Sequence, residues 1–156
     1  MNSIIVFVAE YFLYLSVIVT GLFWLRCRKS TKIELLIRFV LGGVIALALA
    51  KVGAYLYYDP RPFVTEHVRP LFPHAADNGF PSDHMLLTSF LGFTILAYSK
   101  RTGMLLLVIA LAVGAARVAA HVHSPIDIVG STIFAAVGAF IAARVSRSKR
   151  LRSRWS

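Results

Sequence analysis

The sequence has little of what a disulfide-built or water-soluble protein needs. Of 156 residues one is a cysteine, Cys27, and a lone thiol closes no internal disulfide, so an oxidised framework is excluded. Charged residues make up 15%, against about a quarter in soluble domains. Acids are the scarcest charge, seven against seventeen Lys and Arg, for a formal net charge of +10. What fills the chain is apolar: 58% of residues are hydrophobic and the mean hydropathy is +0.72. A chain this short cannot bury so much apolar surface in a soluble core.

Long apolar runs between short charged patches read as membrane spans, since about 20 apolar residues cross a bilayer. The expected fold class is all-α, a polytopic membrane helical bundle forming one domain over residues 1–156. Five spans are expected, at about 4–25, 33–57, 82–98, 104–120 and 126–143, followed by a basic tail over 144–156. The first run has no basic segment before it and is long for a secretion signal, so it reads as a retained span. No internal repeat is evident.

The net positive charge raises the question of nucleic acid, but its placement answers otherwise. Residues 26–32 carry four Lys or Arg, the link 100–101 two and the tail six, twelve of the seventeen. All three segments fall on one side if every run spans, and the positive-inside rule makes that side cytoplasmic. The N-terminus is then outside, the C-terminus cytoplasmic, and the tail an anchor against anionic lipid. Membrane lipids, not nucleic acid, are the expected partners. The loop 59–83, with six scattered charges, and the link 121–125 share the outer face of the cytoplasmic membrane.

Chemistry-bearing residues concentrate on those two segments. Ser124-Pro125-Ile126-Asp127 has the grammar of a helix start: an N-cap serine, proline at the first helical position and an acid in the first turn. Asp127 either helps cap that helix or, four residues after His123, hydrogen-bonds one imidazole nitrogen and leaves the other free to attack. Phe80-Pro81-Ser82-Asp83-His84 opens another helix, with Ser82 as cap and the free N–H groups as an anion site. His84 there is either a solvated interfacial ring or a general acid. Arg61, between Pro60 and Pro62, has a stiff backbone suited to holding a phosphate oxygen pair. Lys51 sits inside the second apolar run, where it either snorkels to the interface or meets a ligand. With Arg117 these groups form an oxyanion site carrying an oriented nucleophile and an acid. Lesser candidates are His121, which lacks the acid at the spacing His123 has, and Glu10, near the outer end of the first span. His67, His74 and Asp77 are too spread to make a metal site.

The three clusters together resemble the type 2 phosphatidic acid phosphatase superfamily. Its pattern is a Lys followed by Arg-Pro, then Pro-Ser-Gly-His, then Ser-Arg followed after five residues by His and after three more by Asp. Arg61-Pro62, Pro81-Ser82-Asp83-His84 and Arg117, His123 and Asp127 match in order and spacing, over residues 51–127. The resemblance implies that His123 attacks phosphorus, Asp127 orients it and His84 protonates the leaving group. It assigns the phosphate oxygens to Arg61, Arg117, Ser82 and Lys51, and implies a phosphohistidine intermediate with no metal or cofactor. The chain departs from the pattern at three places. Lys51 stands ten positions before Arg61 rather than seven, close to one helical turn further. Ala116 replaces the usual Ser before Arg117, which removes one minor phosphate contact. Asp83 replaces Gly, and with the approach His74-Ala75-Ala76-Asp77-Asn78-Gly79-Phe80 it resembles the bacterial undecaprenyl-diphosphatase branch. The expected substrate is therefore undecaprenyl diphosphate, hydrolysed to the monophosphate at the outer face. The alternatives are a phosphatase of phosphatidylglycerophosphate, phosphatidate or lipid A phosphate, and a non-catalytic lipid-binding protein of the same fold.

Overall fold

The computed structural model describes the backbone of residues 2–152 and the side chains of residues 2–146. The described chain forms six helices: α1 (Asn2–Arg26), α2 (Lys29–Leu56), α3 (Pro62–Thr65), α4 (Asp83–Leu96), α5 (Lys100–Ala119) and α6 (Pro125–Arg152). Extended pairing among the described residues is limited to one isolated bridge, Pro60 with Asn78. The all-α expectation holds, and the protein is a multi-pass membrane protein. Four helices, α1, α2, α5 and α6, are long and apolar enough to cross a membrane. Their outward faces carry Ile18, Leu36, Val44, Leu111 and Ile133, which a lipid environment covers and water would not.

α4 differs from the span expected at 82–98. It has 14 residues, about 21 Å at the helical rise, short of the roughly 30 Å hydrocarbon core. Phe80 inserts its ring between α2 and α6, where a Cβ on Gly130 would lie 2.3 Å from the ring and one on Gly53 3.1 Å from it. The chain therefore turns into α4 inside the bundle rather than at its surface. α4 is mostly buried, including Leu86, Thr88, Ser89, Phe90 and Ile95, and packs on α5 and α6. The other end of the chain differs too. α6 does not stop at residue 143 but continues through the first part of the basic tail to Arg152; residues 153–156 lie outside the described residues.

Small residues hold the centre. Ala46 and Ala50 of α2, Leu86 and Phe90 of α4, and Ala135 and Ala139 of α6 form one buried cluster, the close helix approach that small side chains allow in membranes. A second cluster, Leu35, Ile95 and Leu106 with Trp24 and Tyr98 against it, closes the end that holds the short links 27–28 and 97–99. A third, Ala9, Phe72, Ala116, Ala120 and Val122, closes the opposite end. There the long loop after α2 folds over the α5–α6 link, Phe63 N–H donating to His121 O and Leu71 N–H to Ala120 O. These bonds bring the two chemistry-bearing segments together.

Candidate active site

α5 ends in a way that delivers His123. His121 takes a left-handed backbone, φ 61°, the conformation in which helices commonly stop. Val122 N–H reaches back to Arg117 O and His121 N–H to Val118 O, so the chain reverses tightly. Two residues later His123 is buried with its Nδ1 3.0 Å from Asp127 Oδ2. The same Oδ2 accepts the Ser124 backbone N–H at 2.9 Å. Capping and orienting, alternatives on the sequence, are performed by one carboxylate oxygen. Ser124 occupies the expected cap position, but its hydroxyl donates to Asp59 Oδ2 instead. Asp127 is fully buried.

With Nδ1 facing a carboxylate, the His123 proton belongs on Nδ1 and the lone pair on Nε2, a tautomer assigned from its partners. Nε2 lies 3.4 Å from an Arg61 terminal nitrogen, which also donates to Val122 O at 2.7 Å. Burial holds the His123 pKa below its ordinary value, helped by Arg117 and Arg61 and opposed by the Asp127 hydrogen bond. The ring is thus neutral, as a nucleophile must be.

Arg117, buried near the end of α5, donates to Ala9 O at 3.3 Å and meets His74 Nε2 at 3.1 Å. The Phe72 ring lies beneath it at 5.7 Å. Ser82 stands at the N-cap of α4, but its hydroxyl makes no cap bond; it is buried without a protein partner. Arg117 Nε and His74 Nδ1 are buried and unpartnered as well. Two of these residues, Arg117 and His74, line one cavity, and donors without a protein partner there suit an oxyanion.

A cavity of about 910 Å³ joins Arg117 and His74 to Arg61 and His123. Its polar end is lined by Lys51, Arg61, His74, His84, Arg117 and His123; its apolar end runs between α2 and α4 past Ala46, Leu47, Leu87 and Phe90 to Phe39. From Lys51 to Phe39 the groove follows α2 for about 18 Å. Lys51 lines the cavity but is exposed and makes no hydrogen bond or ion pair among the described residues. A smaller pocket opens on the α1 side, sharing His74, His84 and Arg117 and adding Glu10, Tyr11 and Tyr14.

The structure therefore gathers Arg61, His84, Arg117 and His123 around one cavity, sets Asp127 behind His123 and places Lys51 at the rim; Ser82 is buried at the start of α4 and does not line the cavity. His121 turns away to Glu66, 3.3 Å off. His67, His74 and Asp77 do not converge: His74 faces Arg117 and Asp77 Oδ1 accepts from Arg61 Nε at 2.7 Å. Among the described residues no group of three His, Cys, Asp or Glu side chains is arranged to hold a metal. Sequence reasoning missed the parts played by residues 74–79. His74 is a third ring at the site, its pKa pushed down to about 4 by burial and by Arg61, Arg117 and His123. Asn78 accepts from Asp59 N–H and Phe80 N–H and donates to Ala54 O and Tyr57 O. Gly79 passes so close to Asp127 that a Cβ there would lie 2.9 Å from Oδ2. Their signal in the sequence was the resemblance of the approach 74–80 to the undecaprenyl-diphosphatase branch, which gave the stretch no contacts.

The model of the PAP2 superfamily matches residues 35–151. The chain belongs to the PAP2 superfamily. Among curated PAP2 relatives, the bacitracin transport permease protein BcrC of Bacillus licheniformis is 36% identical over 141 residues, 89% of this chain and 68% of that protein. The undecaprenyl-diphosphatase BcrC of Bacillus subtilis is 30% identical over 146 residues, 94% of this chain and 75% of that one. The fold is similar to that of the crystal structure of Aquifex aeolicus LpxE, with a TM-score of 0.68 and 23% identity, covering 92% of this chain and 87% of the other.

Proposed function

We propose that this membrane lipid phosphatase hydrolyses a long-chain prenyl diphosphate, undecaprenyl diphosphate, to the monophosphate through a phosphohistidine on His123. The observation that carries the reading is the His123–Asp127 pair set between Arg61 and Arg117 at the polar end of a lipid-sized groove. The name of the Bacillus subtilis relative, undecaprenyl-diphosphatase BcrC, and the Asp83 variant of the second motif support the diphosphate.

In the first step His123 Nε2 attacks the terminal phosphorus while Asp127 holds Nδ1–H, so the positive charge formed on the ring meets a carboxylate. The bond from phosphorus to the bridging oxygen breaks, and His84 gives that oxygen its proton as the lipid monophosphate leaves. Arg61, Arg117 and Ser82 meet the charge on the equatorial oxygens, and Lys51 reaches in from the rim. In the second step His84, now unprotonated, takes a proton from water; the hydroxide displaces His123 and inorganic phosphate is released. The prenyl chain lies along the apolar groove between α2 and α4. The uneven distribution of Lys and Arg supports a site on the outer face of the cytoplasmic membrane with a cytoplasmic C-terminus.

The test is a side-by-side kcat/KM for prenyl diphosphate and phosphatidylglycerophosphate on purified protein in one detergent with EDTA present. A preference for the diphosphate of about tenfold or more is expected, which needs only about 1.4 kcal/mol of differential transition-state binding. A clear preference for the glycerophospholipid would overturn the substrate assignment.

A further inference from the structure

Both arginines of the proposed phosphate site are gripped by one short stretch of the loop before α4. His74 Nε2 lies 3.1 Å from Arg117, and a guanidinium only donates, so Nε2 is the acceptor and the ring proton sits on Nδ1. Three residues later Asp77 Oδ1 accepts from Arg61 Nε at 2.7 Å. Each arginine also gives one terminal nitrogen to a backbone carbonyl, Arg61 to Val122 O and Arg117 to Ala9 O. Each guanidinium is thus pinned at two points, one of them in residues 74–77. The stretch is itself tied down, because Asn78 bonds to Ala54 O and Tyr57 O at the end of α2.

We propose that residues 74–77 form a strap whose His74 and Asp77 are positioning residues for the phosphate-binding planes of Arg117 and Arg61. The proposal deepens the phosphatase reading and rests on it. A competing physical account gives Asp77 the opposite role, an internal anion that must be displaced from Arg61 before phosphate binds. The geometry favours positioning: Asp77 takes Nε alone, and its side chain is 61% exposed against 7% for that of Arg61. A carboxylate in that place steers the guanidinium from its solvent edge and leaves the NH2 nitrogen for a phosphate oxygen.

The experiment uses the purified full chain with inorganic phosphate as a competitive inhibitor of prenyl diphosphate turnover, alongside thermal midpoints. His74→Ala and Asp77→Ala should each raise the phosphate inhibition constant and KM about tenfold, the scale of one charge-assisted hydrogen bond, with the midpoint little changed. His74→Gln and Asp77→Asn keep an acceptor in place and should return both constants to near the wild-type values. Asp77→Leu, close in shape but without an acceptor, should behave as Asp77→Ala and serves as the loss variant if the alanine form does not fold. Alanine and leucine variants indistinguishable from wild type would overturn the strap. So would tighter phosphate inhibition in both Asp77→Asn and Asp77→Ala, the result competition predicts. A wild-type chain that neither turns over lipid phosphates nor responds to phosphate would remove the phosphatase reading, and the strap with it. An active wild type with unaffected variants removes the strap alone.

Discussion

Arginines are buried at both ends of the bundle, and the two ends treat them differently. Arg38 of α2 is 6% exposed, Arg61 6% and Arg117 3%, so burial does not separate them. Partners do. Arg38 donates to Glu34 one turn earlier at 2.8 Å and lies over the Tyr98 ring at 4.8 Å, so its charge is met by a carboxylate on its own helix. Arg61 and Arg117 bond to two backbone carbonyls and meet the neutral rings of His123 and His74, and the one carboxylate in contact with either is the largely exposed Asp77 on Arg61. A buried charge away from water is retained when it is paired or when it has a ligand to meet. The arginine with a carboxylate of its own reads as architecture, and the two without a buried one as an anion site.

That contrast is sharpest if the site end can be emptied of function while the bundle stands. His123→Ala gives the largest expected effect. It removes the nucleophile, so turnover should fall by more than the roughly 10²–10⁴-fold that loss of acid–base help alone produces. The folded fraction in detergent should match wild type. His84→Ala should lose less on substrates with good leaving groups. Turnover by His123→Ala within about tenfold of wild type would remove the covalent mechanism.

Exchanging arginine for methionine at each end tests the contrast directly. Arg117→Met should lower kcat/KM by about 10²–10³-fold, the usual loss for one oxyanion donor, with the thermal midpoint held or raised. Arg38→Met should leave kcat/KM near wild type but lower the midpoint, since breaking a buried pair by removing one partner costs about 3–5 kcal/mol. The double change Arg38→Met with Glu34→Leu should recover most of that loss. Two variants that move activity and stability in the same way would erase the distinction between the ends.

Much of this was legible in the chain, for reasons that differ along it. The spans show because a bilayer demands long apolar runs, and Arg61, His84, Arg117, His123 and Asp127 because their spacing is locked to helix starts and ends. The lodging of Phe80 was not legible: nothing in the run ahead of α4 says that its ring plugs between α2 and α6. Ser82 and Ser124 sit at cap positions without capping, because tertiary neighbours redirect or isolate their hydroxyls. His74 and Asp77 read as scattered loop polars, since what gives them meaning is contact with arginines 43 and 16 residues away in the chain. Local grammar is written in the sequence; partners across the fold are not.

The smallest expected effect is electrostatic and lies outside the spans. His74 has a pKa of about 4 in the folded protein against 6.5 for a free imidazole, from burial and then from Arg61, Arg117 and His123, with Asp77 opposing. A histidine with a depressed folded pKa binds fewer protons than the unfolded chain between those values. Its contribution to stability is therefore fully present above about pH 6.5 and is lost as pH falls towards 4. His123 is shifted in the same direction and adds to the trend. The thermal midpoint should drop between pH 7 and pH 4.5, and the His74 ring should stay neutral through most of that range in an NMR titration. Arg117→Met removes one of the charges that hold the pKa down, so His74 should titrate higher in that variant and the midpoint should fall less steeply. Arg38→Met should leave the titration unchanged, because Arg38 is not among the charges that act on His74. Bound vanadate, which brings negative charge between the same arginines, should also raise the His74 pKa. A His74 that titrates near 6.5 in the unliganded wild type would mean that neither burial nor the arginine charges act on the ring as described, and the contrast between the two ends would fail on its own terms.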